Sequence, residues 1–129
     1  MLDHVTIGVS NIGHSTRFYD QALRPLGVAR LYGEVEQFAG YGISPKAFFW
    51  IGRRDTPQTG AHIAFAAPDR ATVDRFYQET IAAGGKDNGQ PGMRPNCHAN
   101  YYGAFVLDPD GHNIEAVCHD PQTSTWTGF

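Results

Sequence analysis

The chain is poor in the features that mark several functional classes. Lysine occurs only as Lys46 and Lys86, and the formal net charge is −3, so no basic stripe favours nucleic-acid binding. No apolar run approaches the ~20 residues that a membrane helix needs. Charged residues make up 18% of the 129 residues and hydrophobic residues 41%, a balance typical of one folded domain rather than a disordered chain.

Cysteine is also scarce. Cys97 and Cys118 stand in neither a CxxC motif nor a metal-finger spacing, which predicts free thiols in a reducing compartment. The N-terminal stretch MLDHVTIGV enters a strand pattern at once, so we expect no signal peptide. Together these features predict a cytoplasmic protein that binds neither nucleic acid nor membranes.

What the chain does contain is an internal repeat. Residues 4–27 align without a gap on residues 62–85, and the match runs through a strand, a turn and a helix. Such a match is hard to obtain by accident, so we interpret it as a duplicated unit. The identical pairs are His4/His62, Arg17/Arg75, Phe18/Phe76, Tyr19/Tyr77 and Gly27/Gly85.

Each copy predicts a strand, a helix and then three strands, with Ser10-Asn11 and Asp69 as helix caps. The predicted fold class is α+β, with two tandem βαβββ modules at 1–58 and 59–120 and a tail at 121–129. The two sheets are expected to form an open cup or half-barrel with the helices outside. The predicted helices are 12–25 and 70–83, and the predicted strands are 3–9, 28–33, 35–42, 47–52, 61–67, 86–90, 101–107 and 112–118.

One carboxylate interrupts the last apolar strand. The segment DPDGHNIEAV is a tight turn that runs into this strand, and alternation places Glu115 opposite the face of Ile114. In the two repeated strands, His4 and His62 likewise lie opposite the apolar face. Two imidazoles and one carboxylate form a facial triad typical of a divalent Fe, Mn, Ni, Co or Zn ion with open coordination positions.

Other side chains are candidates for meeting a substrate. His98, in a loop expected at 91–100, is a candidate general acid or base together with Glu115. Tyr101 and Tyr102 must point to opposite faces if the strand starts there, so at most one faces the cup. His112 is expected to be structural. The predicted substrate contacts are Thr6, Phe49, Trp50, Arg94 and Tyr102.

Several motifs resemble one family. The paired modules, the opening DHVTIGVSN, the helical RFY and the ending FVLDPDGHNIEAV are similar to the vicinal oxygen chelate superfamily. That group includes glyoxalase I, fosfomycin-resistance transferases, extradiol dioxygenases and bleomycin-binding proteins. The resemblance covers about residues 1–120. It implies a homodimer and a metal held by residues of the first and fourth strands, which carries over to His4, His62 and Glu115.

One departure separates the chain from glyoxalase I. That enzyme adds a carboxylate from the fourth strand of the first module, where this chain has AFFWIG. The leading hypothesis is a metal-dependent, glyoxalase-like lyase or isomerase acting on a small molecule with two adjacent oxygens. An extradiol-type dioxygenase with a 2-His-1-carboxylate Fe(II) site is one alternative. A non-catalytic, bleomycin-resistance-like binding protein is the other.

Overall fold

The fold repeats one order of elements twice. The structure, a computed structural model, describes residues 1–56, 58–96 and 99–121, and in each half a strand and a helix precede three further strands. The α+β prediction of two βαβββ modules is confirmed. The elements are β1 (Val5–Val9), α1 (Ile12–Ala22), β2 (Ala29–Glu34), β3 (Phe38–Ile43), β4 (Lys46–Arg53), β5 (His62–Ala66), α2 (Arg70–Ala82), β6 (Lys86–Met93), β7 (Tyr102–Leu107) and β8 (Asn113–Cys118).

Each module builds one open four-stranded sheet. The strand orders are β1-β4-β3-β2 and β5-β8-β7-β6, with the first two strands of each order parallel and the other neighbours antiparallel. The first strand of each module therefore lies beside the last one, across a connection that contains the helix. Within the described ranges, no helix has the length and apolar character needed to cross a membrane.

Both helices begin at the predicted caps. Asn11 accepts a hydrogen bond from the amide of His14 at 2.9 Å, and Asp69 accepts one from the amide of Thr72 at 2.7 Å. The hydroxyl of Thr72 also donates to Asp69, and this bond, followed by the one from the Thr72 amide, lowers the pKa of Asp69. The first helix is shorter than predicted and gives way to a 3₁₀ turn at Arg24–Leu26, because Pro25 cannot continue the α-helical ladder.

The strand β6 is longer than predicted. It continues to Met93, through residues expected to form a loop, and its pairing with β7 shifts register around Gly89 and Gly92. Pro91 is tolerated because it lies on the edge strand of its sheet, between Gly89 and Gly92, where the regular pairing with β7 is interrupted. This extension brings Met93 beside Tyr102, at the start of β7.

The two modules share one hydrophobic core. Apolar residues of α1, α2 and both sheets belong to a single buried cluster, and Phe49 of β4 meets Phe65 of β5 edge to face with ring centroids 5.3 Å apart. Cys118 is a buried free thiol, as predicted, whereas Cys97 lies outside the described residues. Since one face of each sheet covers this core, the other face, called here the open face, points away from it.

The turn between β7 and β8 joins the second module to the first. The Asp108 carboxylate accepts a hydrogen bond from the buried Tyr19 hydroxyl at 2.5 Å, and the Asp110 carboxylate accepts the amide of Ser10 at 3.2 Å. Burial, followed by the charge of Asp108, raises the pKa of Tyr19 well above its usual range. The DPDG sequence therefore ties the modules together as well as reversing the chain.

His112 completes this connection. Its Nδ1 accepts the amide of Ala61 at 3.1 Å, so its Nε2 carries the proton and donates to the carbonyl of Gly8 at 2.8 Å. The side chain is only 2% exposed. The expectation of a structural role for His112 agrees with this placement.

Replacing His112 should therefore destabilise the chain. We expect His112→Ala to lower the free energy of unfolding by about 1–3 kcal/mol, because a partly buried amide and a buried carbonyl lose their partner. Urea unfolding followed by circular dichroism measures the change. His14→Ala, at an exposed position of α1, is the matched control and should change stability by less than about 0.5 kcal/mol. Equal effects of the two substitutions would contradict the role given to His112.

Candidate functional site

The strand β8 presents a buried carboxylate on the open face of the second sheet. Ile114 and Ala116 enter the core, so Glu115 between them points the other way. The Nε2 atom of His62, at the start of β5, lies 2.8 Å from Glu115 Oε1. Glu115 is 0% exposed, whereas the His62 side chain is 52% exposed. The repeat thus delivers two of the three predicted ligands to one place.

Three further side chains surround this pair. The hydroxyl of Tyr101 donates to Glu115 Oε2. Phe105 is the register partner of Glu115 on β7, and its ring centroid lies 6.2 Å from that of His62. The Arg94 guanidinium lies over the Phe105 ring at 5.4 Å, held by the carbonyl of Gln90 at 2.6 Å. These residues, with His62 and Glu115, are called here the Glu115 site.

His4 lies apart from the Glu115 site. Its Nδ1 is 2.7 Å from Asp3 Oδ1, and Lys46 donates to the same oxygen at 2.6 Å. The hydrogen bonds from Lys46 and then His4 lower the pKa of Asp3. In the described part of the chain, no three His, Cys, Asp or Glu side chains gather into a group that could hold a metal ion. Within one chain, the structure brings His62 and Glu115 together without His4.

The substrate contacts predicted on β4 divide between the two faces. Phe49 is 0% exposed and packs against Tyr19 and Phe65 in the core, so it is not available to a ligand. Its neighbour Trp50 lies on the open face, stacked on Tyr32 with ring centroids 5.9 Å apart. The prediction for Phe49 therefore disagrees with its place in the structure, because side chains alternate along a strand.

Trp50 stands where Glu115 stands in the other module. In the first sheet Thr6 of β1 pairs with Trp50, and in the second sheet Ala64 of β5 pairs with Glu115. Thr6 and Ala64 occupy equivalent positions of the repeat, two residues after His4 and His62. A Cβ on Gly40 would lie 2.6 Å from the indole, so this glycine makes room for the ring. Thr6 is exposed beside Trp50 on the open face.

The sequence analysis assigned a substrate contact to Tyr102, but in the structure it is Tyr101 that lies at the Glu115 site. The Tyr102 hydroxyl donates to Asp74 of α2 at 2.7 Å, so its side chain faces the helix instead of the open face. Burial, followed by this hydrogen bond, raises the pKa of Tyr102 above its usual range. Tyr101, not assigned a role from the sequence, contacts Glu115 instead. The sequence shows that the two tyrosines must face opposite sides of the sheet. Which of them faces the open side depends on where β7 begins.

The predicted catalytic residue His98 lies outside the described residues, as do Trp126 and Phe129 of the predicted tail. Arg94 occupies the open face as part of the Glu115 site, next to Phe105. The general acid or base role of His98 stays a prediction.

A duplicated βαβββ unit with two open sheets and a histidine–carboxylate pair on an open face defines the class of protein. The family described as "Glyoxalase/Bleomycin resistance protein/Dioxygenase superfamily" matches residues 1–116. The chain belongs to this superfamily, as the resemblance in its motifs indicated.

Solved structures share the fold along nearly the whole chain. A glyoxalase/bleomycin resistance protein from Albidiferax ferrireducens T118 is 30% identical, with a TM-score of 0.78 over 92% of this chain and 98% of that chain. The lactoylglutathione lyase from Agrobacterium tumefaciens is 15% identical, with a TM-score of 0.69 over 92% of each chain. A fosfomycin resistance protein from Mesorhizobium loti is 20% identical, with a TM-score of 0.68 over 94% of this chain and 93% of that chain. The comparison with curated proteins returned no match.

Proposed function

We propose that the chain is a metal-dependent, glyoxalase-like enzyme, of lyase or isomerase type, acting on a small molecule with two adjacent oxygens. The observation that carries this proposal is the contact between the His62 imidazole and the fully buried Glu115 carboxylate on an open face. An imidazole nitrogen beside a carboxylate oxygen is a donor pair that divalent Fe, Mn, Ni, Co and Zn accept. The expected cytoplasmic location belongs to the same proposal.

The residues at the site fit a divalent ion. His62 and Glu115 supply one nitrogen and one oxygen within 2.8 Å of each other. Asn113, the register partner of His62, has a buried side-chain oxygen with no hydrogen-bond partner in the described part of the chain. A bound ligand or water could therefore donate a hydrogen bond to this oxygen, beside the pair.

His4 of a second copy is the proposed third ligand. The open faces of one chain point away from its shared core, so the open face of a second chain can cover the Glu115 site. The pairing of His4 Nδ1 with Asp3 leaves Nε2 to face outward, the arrangement in which a carboxylate orients a metal-binding histidine. In a two-fold homodimer, the same exchange would build two equivalent sites.

The side chains of the site have separate proposed roles. When bound, the metal would polarise the two substrate oxygens and stabilise negative charge on them. Phe105 supplies an apolar wall, and Arg94 beside it offers a positive charge to a substrate carboxylate or oxyanion. Thr6 offers a hydroxyl on the facing sheet, and His98 is proposed to move a proton.

Two alternative functions also use the open faces of the sheets. A dioxygenase would use the same His4, His62 and Glu115 set, which is the ligand count of non-haem Fe(II) oxygenases. A binding protein without catalysis is favoured by a different observation, the exposed aromatic surface of the first sheet. There Tyr32 is 50% exposed and Phe38 40% exposed, beside the indole of Trp50. Such rings suit a flat ligand.

Metal analysis tests the proposal. We expect wild-type protein to bind close to one divalent ion per chain, and Glu115→Gln, which keeps the shape of the side chain, to bind at least about 10-fold more weakly. Glu34→Gln, at an exposed position of β2, is the matched control and should bind like wild type. Bound iron then calls for oxygen-uptake assays with catechols, and nickel or zinc for dicarbonyl substrates. Wild-type protein that binds none of these ions after reconstitution would leave only the binding-protein alternative.

A further inference from the structure

The two oxygens of Glu115 have different partners. Oε1 faces the Nε2 of His62 at 2.8 Å, on the half-exposed side of the pair. Oε2 accepts the hydroxyl of Tyr101, which belongs to the segment just before β7. A carboxylate in this position can offer a cation either one oxygen or both, and the number depends on what holds Oε2.

The surroundings of Tyr101 are shaped to keep its ring in place. A Cβ on Gly103 would lie 3.1 Å from Tyr101 Cε1 and 3.3 Å from Glu115 Oε2, so the absence of a side chain there gives the phenol its path to the carboxylate. On another side the ring meets His119 edge to face, with centroids 5.2 Å apart. The hydroxyl is therefore directed at Oε2 by packing as well as by its hydrogen bond.

We propose that Tyr101 is a positioning residue that occupies Oε2 and leaves Oε1 as the only oxygen that Glu115 offers to a metal. This inference rests on the proposed function. A carboxylate that accepts a hydroxyl on one oxygen binds a cation through the other, whereas a carboxylate without that donor can chelate through both. Chelation by Glu115 would consume a coordination position. By preventing it, Tyr101 keeps two adjacent positions open for a substrate that binds through two oxygens.

The test uses cobalt(II) alone, whose visible absorption weakens as its coordination number increases. We expect Tyr101→Phe to bind Co(II) with a weaker visible band than wild type, because the second oxygen of Glu115 would then join the coordination sphere. Tyr102→Phe is the matched control. Its hydroxyl faces Asp74 on α2, so both the spectrum and the affinity should match wild type.

If the Tyr101→Phe protein fails to fold, a second substitution tests the same proposal. Tyr101→Leu also removes the hydroxyl that Glu115 Oε2 accepts and should weaken the cobalt band in the same direction. A wild-type protein that binds no Co(II) would overturn the proposed function and the role of Tyr101 with it. If wild-type protein binds Co(II) and folded Tyr101→Phe or Tyr101→Leu gives the same spectrum, the role of Tyr101 alone is overturned.

Discussion

Mixing His4→Ala chains with Glu115→Gln chains should restore tight metal binding, which each variant alone should lose. In the proposed homodimer, each variant alone lacks one ligand of every site, so each should bind zinc only weakly. A mixed dimer joins His4 of the Glu115→Gln chain to His62 and Glu115 of the His4→Ala chain. Random pairing of equal amounts of the two chains would make about a quarter of all sites complete. The measurement is zinc content after the two variants are unfolded and refolded together.

A matched mixture shows whether the recovery depends on exchange between chains. His62→Ala and Glu115→Gln remove two ligands that lie on the same chain, 2.8 Å apart in the wild-type protein. No pairing of these two variants can assemble a complete site, so their mixture should stay empty. If the His4→Ala mixture also stays empty, while wild type binds zinc, then His4 and the Glu115 site do not meet between chains.

The second large effect concerns two neighbouring aromatic residues. Phe49→Ala should lower the free energy of unfolding by about 3–5 kcal/mol, because it leaves a cavity in the core. Phe49 is 0% exposed and its ring meets those of Tyr19 and Phe65. A loss of this size is a large fraction of the ~5–15 kcal/mol that stabilises a typical domain. Urea unfolding of the variant and of wild type measures it.

Trp50→Ala is the matched control at the next position. Its indole lies on the open face and stacks on Tyr32, so its loss should cost stability by only about 1 kcal/mol. Its effect should instead be seen in the binding of flat aromatic ligands, followed by calorimetry. The assignment of opposite faces to these residues is contradicted if Trp50→Ala destabilises the protein as much as Phe49→Ala.

Most of the fold could be predicted from periodic patterns in the sequence. Strand alternation and helix caps located both modules, and the repeat identified His62 by its equivalence to His4. The same reasoning could not separate Phe49 from Trp50, because a run of consecutive aromatic residues has no alternation of polarity to show which ones face the core. Tyr101 and Tyr102 were ambiguous for the same reason, since the phase of β7 depends on its first residue.

The separation of His4 from the Glu115 site depends on contacts between distant parts of the chain. Hydrogen bonds from Tyr19 to Asp108 and from His112 to Gly8 set how one module packs on the other. Each of these pairs joins residues about ninety or more positions apart, and no local sequence pattern predicts either contact. From the sequence alone, the two equivalent histidines were expected to face each other across the module interface, with pairing inside one chain and exchange between two chains both left open.

Trp50 and Glu115 occupy equivalent strand positions in the two modules. The modules therefore share a backbone arrangement but differ in their chemistry at this position. In the proposed site, a bound molecule has the ion-binding wall of the second sheet on one side and the aromatic wall of the first sheet on the other. Turning the molecule over would place its oxygens against Trp50 and its apolar part against Glu115. The walls themselves would therefore select which end of the molecule meets the ion, before any proton moves.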